Sequence, residues 1–188
     1  AKADENLALK KAILEDTQNN LWVGTLGGGL DLFDREKNTF YHYRTGNSNS
    51  VSSDFISSLM EDKEGNIWIG TASGVDVLEK QTGQFIHYGR DGGNPRSLSN
   101  DNTYSIFQDS RGDIWIGTRV GLNLLNKKSK KFRIFRTENG LPDNTVFTIL
   151  EDNLNNLWVS TANGLSNIKV EDGINPSATS PDDYNVSF

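Results

Sequence analysis

Four short segments of the chain share one pattern of apolar and polar positions. Each begins with apolar residues, passes through a polar turn that starts at Asp, and continues as an apolar strand centred on Trp. The segments span residues 13–25, 59–71, 106–118 and 149–161, and their tryptophans lie 46, 47 and 43 residues apart. A period of this length is typical of propeller blades and of helical HEAT-type arrays, so secondary structure must decide between them. The tryptophans are Trp22, Trp68, Trp115 and Trp158.

The pattern within each copy predicts strands. Its apolar residues form short β-branched or aromatic runs separated by Gly, Asn and Asp, and no run keeps a helical period long enough for a helix. In the second copy the strands are predicted at residues 56–61, 66–71, 75–79 and 84–88. The fold class is therefore all-β, a β-propeller with four blades that are each a four-stranded antiparallel meander.

Two features predict how the blades pack. The second strand is apolar at successive positions, as in Ile67-Trp68-Ile69, which indicates a sheet covered on both faces. A Gly two residues after Trp, replaced by Ser160 in the fourth copy, leaves room for the indole or for a side chain of the neighbouring blade. Each connection also carries an apolar residue eleven positions before the next turn Asp, which we expect to plug the gap between blades. These residues are Val51, Leu98 and Leu141.

The repeat boundaries suggest three parts. Residues 1–12 are a lead-in segment, and the four blades occupy about 13–57, 58–104, 105–147 and 148–168. Residues 169–188 complete the last blade irregularly or form a boundary to a following module, and an aromatic edge is expected at 184–188. Four blades are at the lower limit for closed propellers, so we expect an open arc from a larger ring. Closure by a second copy of the chain is the alternative.

Composition narrows the range of partners. The chain has 25 acidic and 19 basic residues and a formal net charge of −6, which disfavours nucleic-acid binding. It has no cysteine, which removes disulfides and thiolate metal sites without fixing the compartment. No stretch approaches the roughly 20 apolar residues of a membrane span, and residues 1–11 lack the apolar core of a signal peptide. Any anchoring segment is therefore expected outside this chain.

Side chains that could support catalysis fall at repeated positions, which favours structural roles. The glycine-rich run at 24–29 coincides with a hairpin in every copy and lacks the lysine and following helix of a phosphate loop. His42 and His87 share one blade position, which is Ile134 in the third blade. The Glu-Asp pairs are neighbours on a strand and point to opposite faces, so they do not form a glycosidase pair. We predict no catalytic residue, metal site or cofactor, and assign turn capping to Asp16, Asp62, Asp109 and Asp152.

The loops between strands two and three and between blades differ most among the copies. Such variable loops are where a propeller is expected to bind a ligand, through side chains that hydrogen-bond sugar hydroxyls or carboxylates. Arg119 is the leading candidate, because the other copies have small or uncharged residues at its position. The full set of predicted ligand-binding residues is Arg119, Asn163, Ser73, Arg44, Arg90 and Arg96.

The repeats resemble those of the two-component regulator propeller family, which is found in extracytoplasmic sensor regions of hybrid histidine kinases, particularly of gut Bacteroidetes. The resemblance is carried by the Ile-Leu-Glu-Asp lead, the Gly-Asn turn, the Leu-Trp-Ile-Gly-Thr strand, the Gly-Leu start and a later Phe-x-x-Tyr, and it extends from about residue 13 to residue 168. It implies a non-catalytic periplasmic fragment of an inner-membrane-anchored sensor kinase. Such a protein recognises a ligand, expected here to be a small oligosaccharide, and signals through the remaining blades and the phosphorelay modules of the parent.

Two other functions stay open. The first is a protein-interaction or dimerisation scaffold, which includes a homodimer. The second is a propeller lyase or glycoside hydrolase, and it would need turnover that depends on His42 or His87.

Overall fold

The computed structural model describes residues 10–170 and 186–187, which form four sheets of antiparallel strands in meander order. Blade one contains β1 (Lys10–Glu15), β2 (Leu21–Thr25), β3 (Leu30–Asp34) and β4 (Thr39–Tyr43). Blade two contains β5 (Ile56–Glu61), β6 (Ile67–Thr71), β7 (Gly74–Leu78) and β8 (Phe85–Tyr88). Blade three contains β9 (Thr103–Gln108), β10 (Ile114–Thr118), β11 (Gly121–Asn126) and β12 (Lys131–Phe135). Blade four contains β13 (Val146–Glu151), β14 (Leu157–Thr161), β15 (Gly164–Val170) and the short β16 (Val186–Ser187).

The strands lie close to the positions predicted from sequence. In blade two the first strand matches, the second and fourth begin one residue later than predicted, and the third is shifted by one residue toward the N-terminus. Asn66 belongs to the preceding turn, and Gly74 closes the hairpin onto β7. The first strand begins at Lys10, inside the segment assigned to the lead-in. The lead-in up to residue 9 and the segment 171–185, with most of the expected aromatic edge, lie outside the described residues.

Each turn between the first and second strands is closed by its Asp. In blade two Asp62 Oδ1 accepts the backbone N–H groups of Glu64 and Asn66 at 3.0 and 2.8 Å. Its Oδ2 accepts the indole N–H of Trp68 at 2.8 Å. Gly65 occupies the left-handed region with φ 84°, which lets the chain reverse within the turn. The same indole–carboxylate bond joins Trp22 to Asp16, Trp115 to Asp109 and Trp158 to Asp152 at 2.9, 3.0 and 2.8 Å.

The hydrophobic core lies between the blades. One face of each sheet, the Trp face, carries the tryptophan and packs on the opposite, aliphatic face of the next sheet. Between blades one and two, for example, Trp22 and Leu30 pack in one cluster with Ile67 and Ile69. Both faces of a blade must therefore be covered, as the apolar second strand predicts. The connecting residues Val51, Leu98 and Leu141 lie in the three clusters, as the register predicts.

The glycine two residues after each buried tryptophan leaves space for a side chain of the next blade. A Cβ on Gly24 would overlap Cγ2 of Ile56, and one on Gly117 would lie 2.8 Å from Cγ1 of Val146. Such distances are too short for a carbon–carbon contact, so a larger residue at these positions would push the blades apart. Of the two explanations for these glycines, space for a neighbouring blade is the one that the structure supports.

Hydrogen-bonded clasps join neighbouring blades at the end of the sheets that carries the Asp turns. Both carboxylate oxygens of Glu61 accept bonds from Thr17 of the preceding blade, from its N–H at 2.7 Å and its O–H at 2.6 Å. Glu61 immediately precedes a turn Asp, and Thr17 immediately follows one. Equivalent clasps link Gln108 to Lys63 and Glu151 to Ser110.

The four blades form an open arc, as expected. Trp22, Trp68 and Trp115 are at most 5% exposed, whereas Trp158 is 37% exposed. At the other end of the arc, Ile13 on the aliphatic face of blade one is 61% exposed. The described residues therefore leave the Trp face of blade four and the aliphatic face of blade one uncovered.

Candidate functional site

The meander brings the variable loops to one end of the sheets, which we call the loop face. It consists of the hairpins at 26–29, 72–73, 119–120 and 162–163 and the connections at 44–55, 89–102 and 136–145. Backbone hydrogen bonds hold these loops together: Gly74 N–H donates to Asp101 O at 2.8 Å, and Ala162 N–H donates to Thr145 O at 3.0 Å. Five of the six predicted ligand-binding residues lie on this face. The sixth, Arg96, lies beside the outer strand of blade three and away from this end of the sheet, because its carbonyl accepts the N–H of Phe132.

Arg119 combines a fixed backbone with an available side chain. Its N–H donates to Asn102 O at 3.0 Å, and its carbonyl accepts the hydroxyl of Thr145 at 3.4 Å. The residue is exposed, and its guanidinium makes no hydrogen bond or ion pair with the residues that the structure describes. A cation held in this way can bind an incoming hydroxyl or carboxylate without first breaking a contact.

Three other candidates are accessible to different degrees. Asn163 and Arg90 are exposed, and Ser73 is half-buried in its hairpin. Arg90 lines a polar cavity of about 220 Å³ together with Ser97 and Arg136. This cavity lies where the connection 89–102 meets blade three, so it is a second place where a small polar ligand could contact the loop face.

Arg44 and Arg96 are more deeply engaged in the fold. The guanidinium of Arg44 donates to the carbonyls of Leu30 and Tyr43 at 3.0 and 3.1 Å and to Asp31 Oδ1 at 2.8 Å. Arg96 is half-buried, and its carbonyl accepts the N–H of Phe132 at 2.8 Å. A ligand would have to compete with these three contacts of Arg44.

Exposed aromatic rings on the loop face were missed by the sequence reasoning. Phe55 is 55% exposed and Phe147 is 45% exposed. The ring centroid of Phe147 lies 5.4 Å from that of Tyr104, which is on β9 of the neighbouring blade. Phe147 sits at a bulge in β13, and Thr145 just before it contacts Arg119. The sequence did hold a signal, because the third and fourth copies have Asn102 and Thr145 at the position of Phe55.

The two histidines lie apart and are each bonded within their own blade. His42 Nδ1 lies 2.7 Å from Asp31 Oδ1, and His87 Nδ1 lies 2.9 Å from Asp76 Oδ1. The hydrogen bond to Asp76 raises the pKa of His87. Asp76 is buried and also accepts the N–H and O–H of Ser52 at 2.7 and 2.9 Å, so this group anchors the connection from blade one.

A family model matches each of the four repeats. The model is described as "Two component regulator propeller", and it matches residues 8–27, 50–73, 97–119 and 140–163. No curated protein sequence matches the chain significantly.

Solved structures similar to this chain include two extracellular domains from B. thetaiotaomicron. That of the putative hybrid two component system BT4673 is 27% identical with a TM-score of 0.74, and the match covers 86% of this chain and 24% of that chain. That of BT3049 is 29% identical with a TM-score of 0.68, and the match covers 94% of this chain and 22% of that chain. This chain thus spans less than a quarter of either domain.

A more distant similarity shows the fold alone. Virginiamycin B lyase from Staphylococcus aureus is 15% identical with a TM-score of 0.64, over 90% of this chain and 58% of that chain.

Within residues 10–170 and 186–187, no helix has the length and apolar character needed to cross a bilayer.

Proposed function

Because this chain belongs to the two component regulator propeller family, whose repeat it carries four times, we propose that it is the ligand-recognising part of a periplasmic sensor region. Its parent is a hybrid two-component protein that is anchored in the inner membrane and passes the signal to a kinase. The similarity to extracellular domains of hybrid two component systems supports a sensor role and a place outside the cytoplasm.

The ligand that fits the loop face best is a small oligosaccharide. The observation that carries this proposal is the exposed guanidinium of Arg119, which has no hydrogen-bond or ion-pair partner among the described residues and lies in the same region as the exposed ring of Phe147. An aromatic ring offers a flat apolar surface, and Arg offers several donors in a fixed geometry for hydroxyls or a carboxylate. The histidines, bonded to separate Asp residues, provide no convergent catalytic group.

Calorimetric titration with neutral and acidic oligosaccharides tests this proposal, on this chain and on the complete extracytoplasmic region. We expect Arg119→Ala and Phe147→Ala each to weaken binding by about tenfold or more, which corresponds to about 1.4 kcal/mol. Arg35→Ala is the matched control, because Arg35 is an exposed arginine at the opposite end of blade one. The proposal of an oligosaccharide ligand is contradicted if no oligosaccharide of the panel binds. It is also contradicted if binding is observed but neither loop-face variant weakens it.

An interaction or dimerisation scaffold is the second candidate, and the exposed rings of Phe55 and Phe147 on the loop face favour it. Loop-face variants that leave ligand binding intact but change self-association would support it. A lyase or hydrolase ranks below both, and it would require turnover that disappears in His42→Ala or His87→Ala.

A further inference from the structure

A cavity of about 200 Å³ lies between blades two and three, at the end of the sheets that carries the Asp turns. Two aromatic rings form part of its wall, those of Trp68 and Tyr88, which stack with their centroids 6.1 Å apart and their planes 6° apart. Both blades are internal, so the cavity does not depend on the uncovered end faces of the arc. The apolar and aromatic residues that line it are Trp68, Val77, Ile86 and Tyr88 of blade two and Leu125 of blade three.

The cavity is open because blade two has a shorter side chain than its neighbours at one matched position. The strand pairing places Tyr41 of blade one and Arg133 of blade three at the position of Ile86. In blade three the guanidinium of Arg133 lies 4.7 Å from the ring centroid of Phe135, which matches Tyr88. In blade two the shorter Ile86 leaves the ring of Tyr88 as a wall of the cavity.

The charged side chains around the cavity are divided between the two blades. Both carboxylates, those of Glu64 and Glu79, belong to blade two, and both amines, those of Lys127 and Lys130, belong to blade three. One ion pair joins the two sets, from Lys127 Nζ to Glu64 Oε1 at 3.4 Å. Lys130 is exposed, and its amine makes no hydrogen bond or ion pair with the residues that the structure describes. The cavity therefore has an anionic side and a cationic side.

Glu79 differs from the residues at its position in blades one and three. Asp34 and Asn126 use their side-chain oxygens to accept backbone N–H groups of their own hairpins. Glu79 instead accepts the hydroxyl of Thr82 at 3.0 Å, which leaves its carboxylate able to accept a further donor. Burial, with a further contribution from the charge of Glu79, raises the pKa of Tyr88, so this carboxylate lies close to the aromatic wall.

We propose that this cavity binds a small zwitterion, an α-amino acid with an apolar side chain. Its ammonium group lies beside the carboxylates of blade two, its carboxylate beside the amines of blade three, and its side chain against the apolar wall. Hydrogen bonds between such oppositely charged groups are stronger than those between neutral ones. The cavity is smaller than the roughly 300–1,000 Å³ of pockets for drug-sized ligands, which suits a single amino acid. This site is separate from the loop face and does not depend on what binds there.

Calorimetric titration with L-leucine and L-phenylalanine tests the proposal, on this chain and on the complete extracytoplasmic region. We expect a dissociation constant of about 1 mM or below for at least one of them. Phenylpropionate lacks the ammonium group of phenylalanine, and phenethylamine lacks its carboxylate. Each should bind at least about tenfold more weakly than the better amino acid, because one side of the cavity then has no partner.

Three variants locate the binding site. Ile86→Arg gives blade two the side chain that blade three has at this position, and it should abolish binding by filling the cavity. Glu79→Gln and Lys130→Gln each remove one charge and should weaken binding about threefold or more. Lys131→Gln is the matched control, since Lys131 is an exposed lysine next to Lys130 that does not line the cavity, and it should bind as the wild-type chain does.

Circular dichroism verifies that the variants are folded. If Ile86→Arg is not folded, the two Gln variants still locate the site, because both alter charged side chains that reach solvent. The proposal is overturned if neither amino acid binds to either protein, or if both single-charge analogues bind as tightly as the amino acid. Binding that is unchanged in Glu79→Gln and Lys130→Gln would overturn it as well.

Discussion

At the scale of single residues, blade three closes its Asp turn differently from the other blades. In those blades an Asn side chain donates to the turn Asp, as Asn66 Nδ2 does to Asp62 Oδ2 at 2.9 Å. Blade three has Asp113 at this position, whose carboxylate cannot donate, and Arg111 donates to Asp109 Oδ2 at 2.9 Å. Burial, with a further contribution from the charge of Asp109, raises the pKa of Asp113 to about 6.

Asp113→Asn should stabilise the protein at neutral pH. The pKa of Asp113 is higher in the folded state than in the unfolded chain, where it is about 4. The destabilisation by the ionised carboxylate is therefore absent below about pH 4, grows between about pH 4 and 6, and is complete above the folded pKa. We expect a gain of roughly 1–2 kcal/mol at about pH 7.5, after allowing for solvent screening. The gain should shrink as the pH falls from about 6 to 4, as measured by urea unfolding.

An appropriate control is Asp91→Asn, which changes an exposed carboxylate in a connection. Its unfolding free energy should change little at either pH. A gain for Asp113→Asn that does not depend on pH would mean that the new amide hydrogen bond, and not the removed charge, is responsible.

The sequence predicted the structural roles of the repeated Trp and Asp residues because every copy has them. We did not predict the hydrogen bond from each Trp indole to its turn Asp. Two observations would have indicated it: the Asp always lies six residues before the Trp, and a buried indole N–H needs an acceptor. The ion pair of Arg44 with Asp31 could not be foreseen, because it depends on how β3 and β4 pair. Whether the six polar loop residues bind a ligand stays a prediction.

At the scale of the blade, the clasps connect sheets that share no strand pairing with each other. Glu61→Ala removes the acceptor for both the N–H and the O–H of Thr17. We expect it to lower the free energy of unfolding by about 0.5–1.5 kcal/mol in denaturant titration, which is typical of lost surface hydrogen bonds.

Glu15→Ala is its matched control, since Glu15 is the same residue type at the same blade position without a preceding blade among the described residues. Its exposed ion pair with Arg35 is expected to contribute little. Equal losses for the two variants would show that Glu61 acts through its own blade and not through the clasp.

The four-stranded meander of each blade was the part of the fold that could be predicted most completely from the sequence. Short strands, turn residues and a period near 46 residues together specify a meander with little ambiguity. The clasps were harder to predict from the sequence. Glu61 has the pattern of a solvent-exposed carboxylate, and its partner Thr17 is known only once the two blades are placed side by side. The aromatic side of the loop face was missed for a similar reason, since exposure of Phe55 follows from the packing of two loops.

At the scale of the whole molecule, placing the core between blades has a consequence for folding. A single blade has its own hydrogen-bonded strands, but its tryptophan is covered only when the next blade packs on it. Trp22 is covered by the following repeat, whose own tryptophan lies 46 residues further along the chain. An incompletely folded chain therefore presents one apolar surface for each blade that lacks its neighbour, and chaperones that bind such surfaces would recognise each of them.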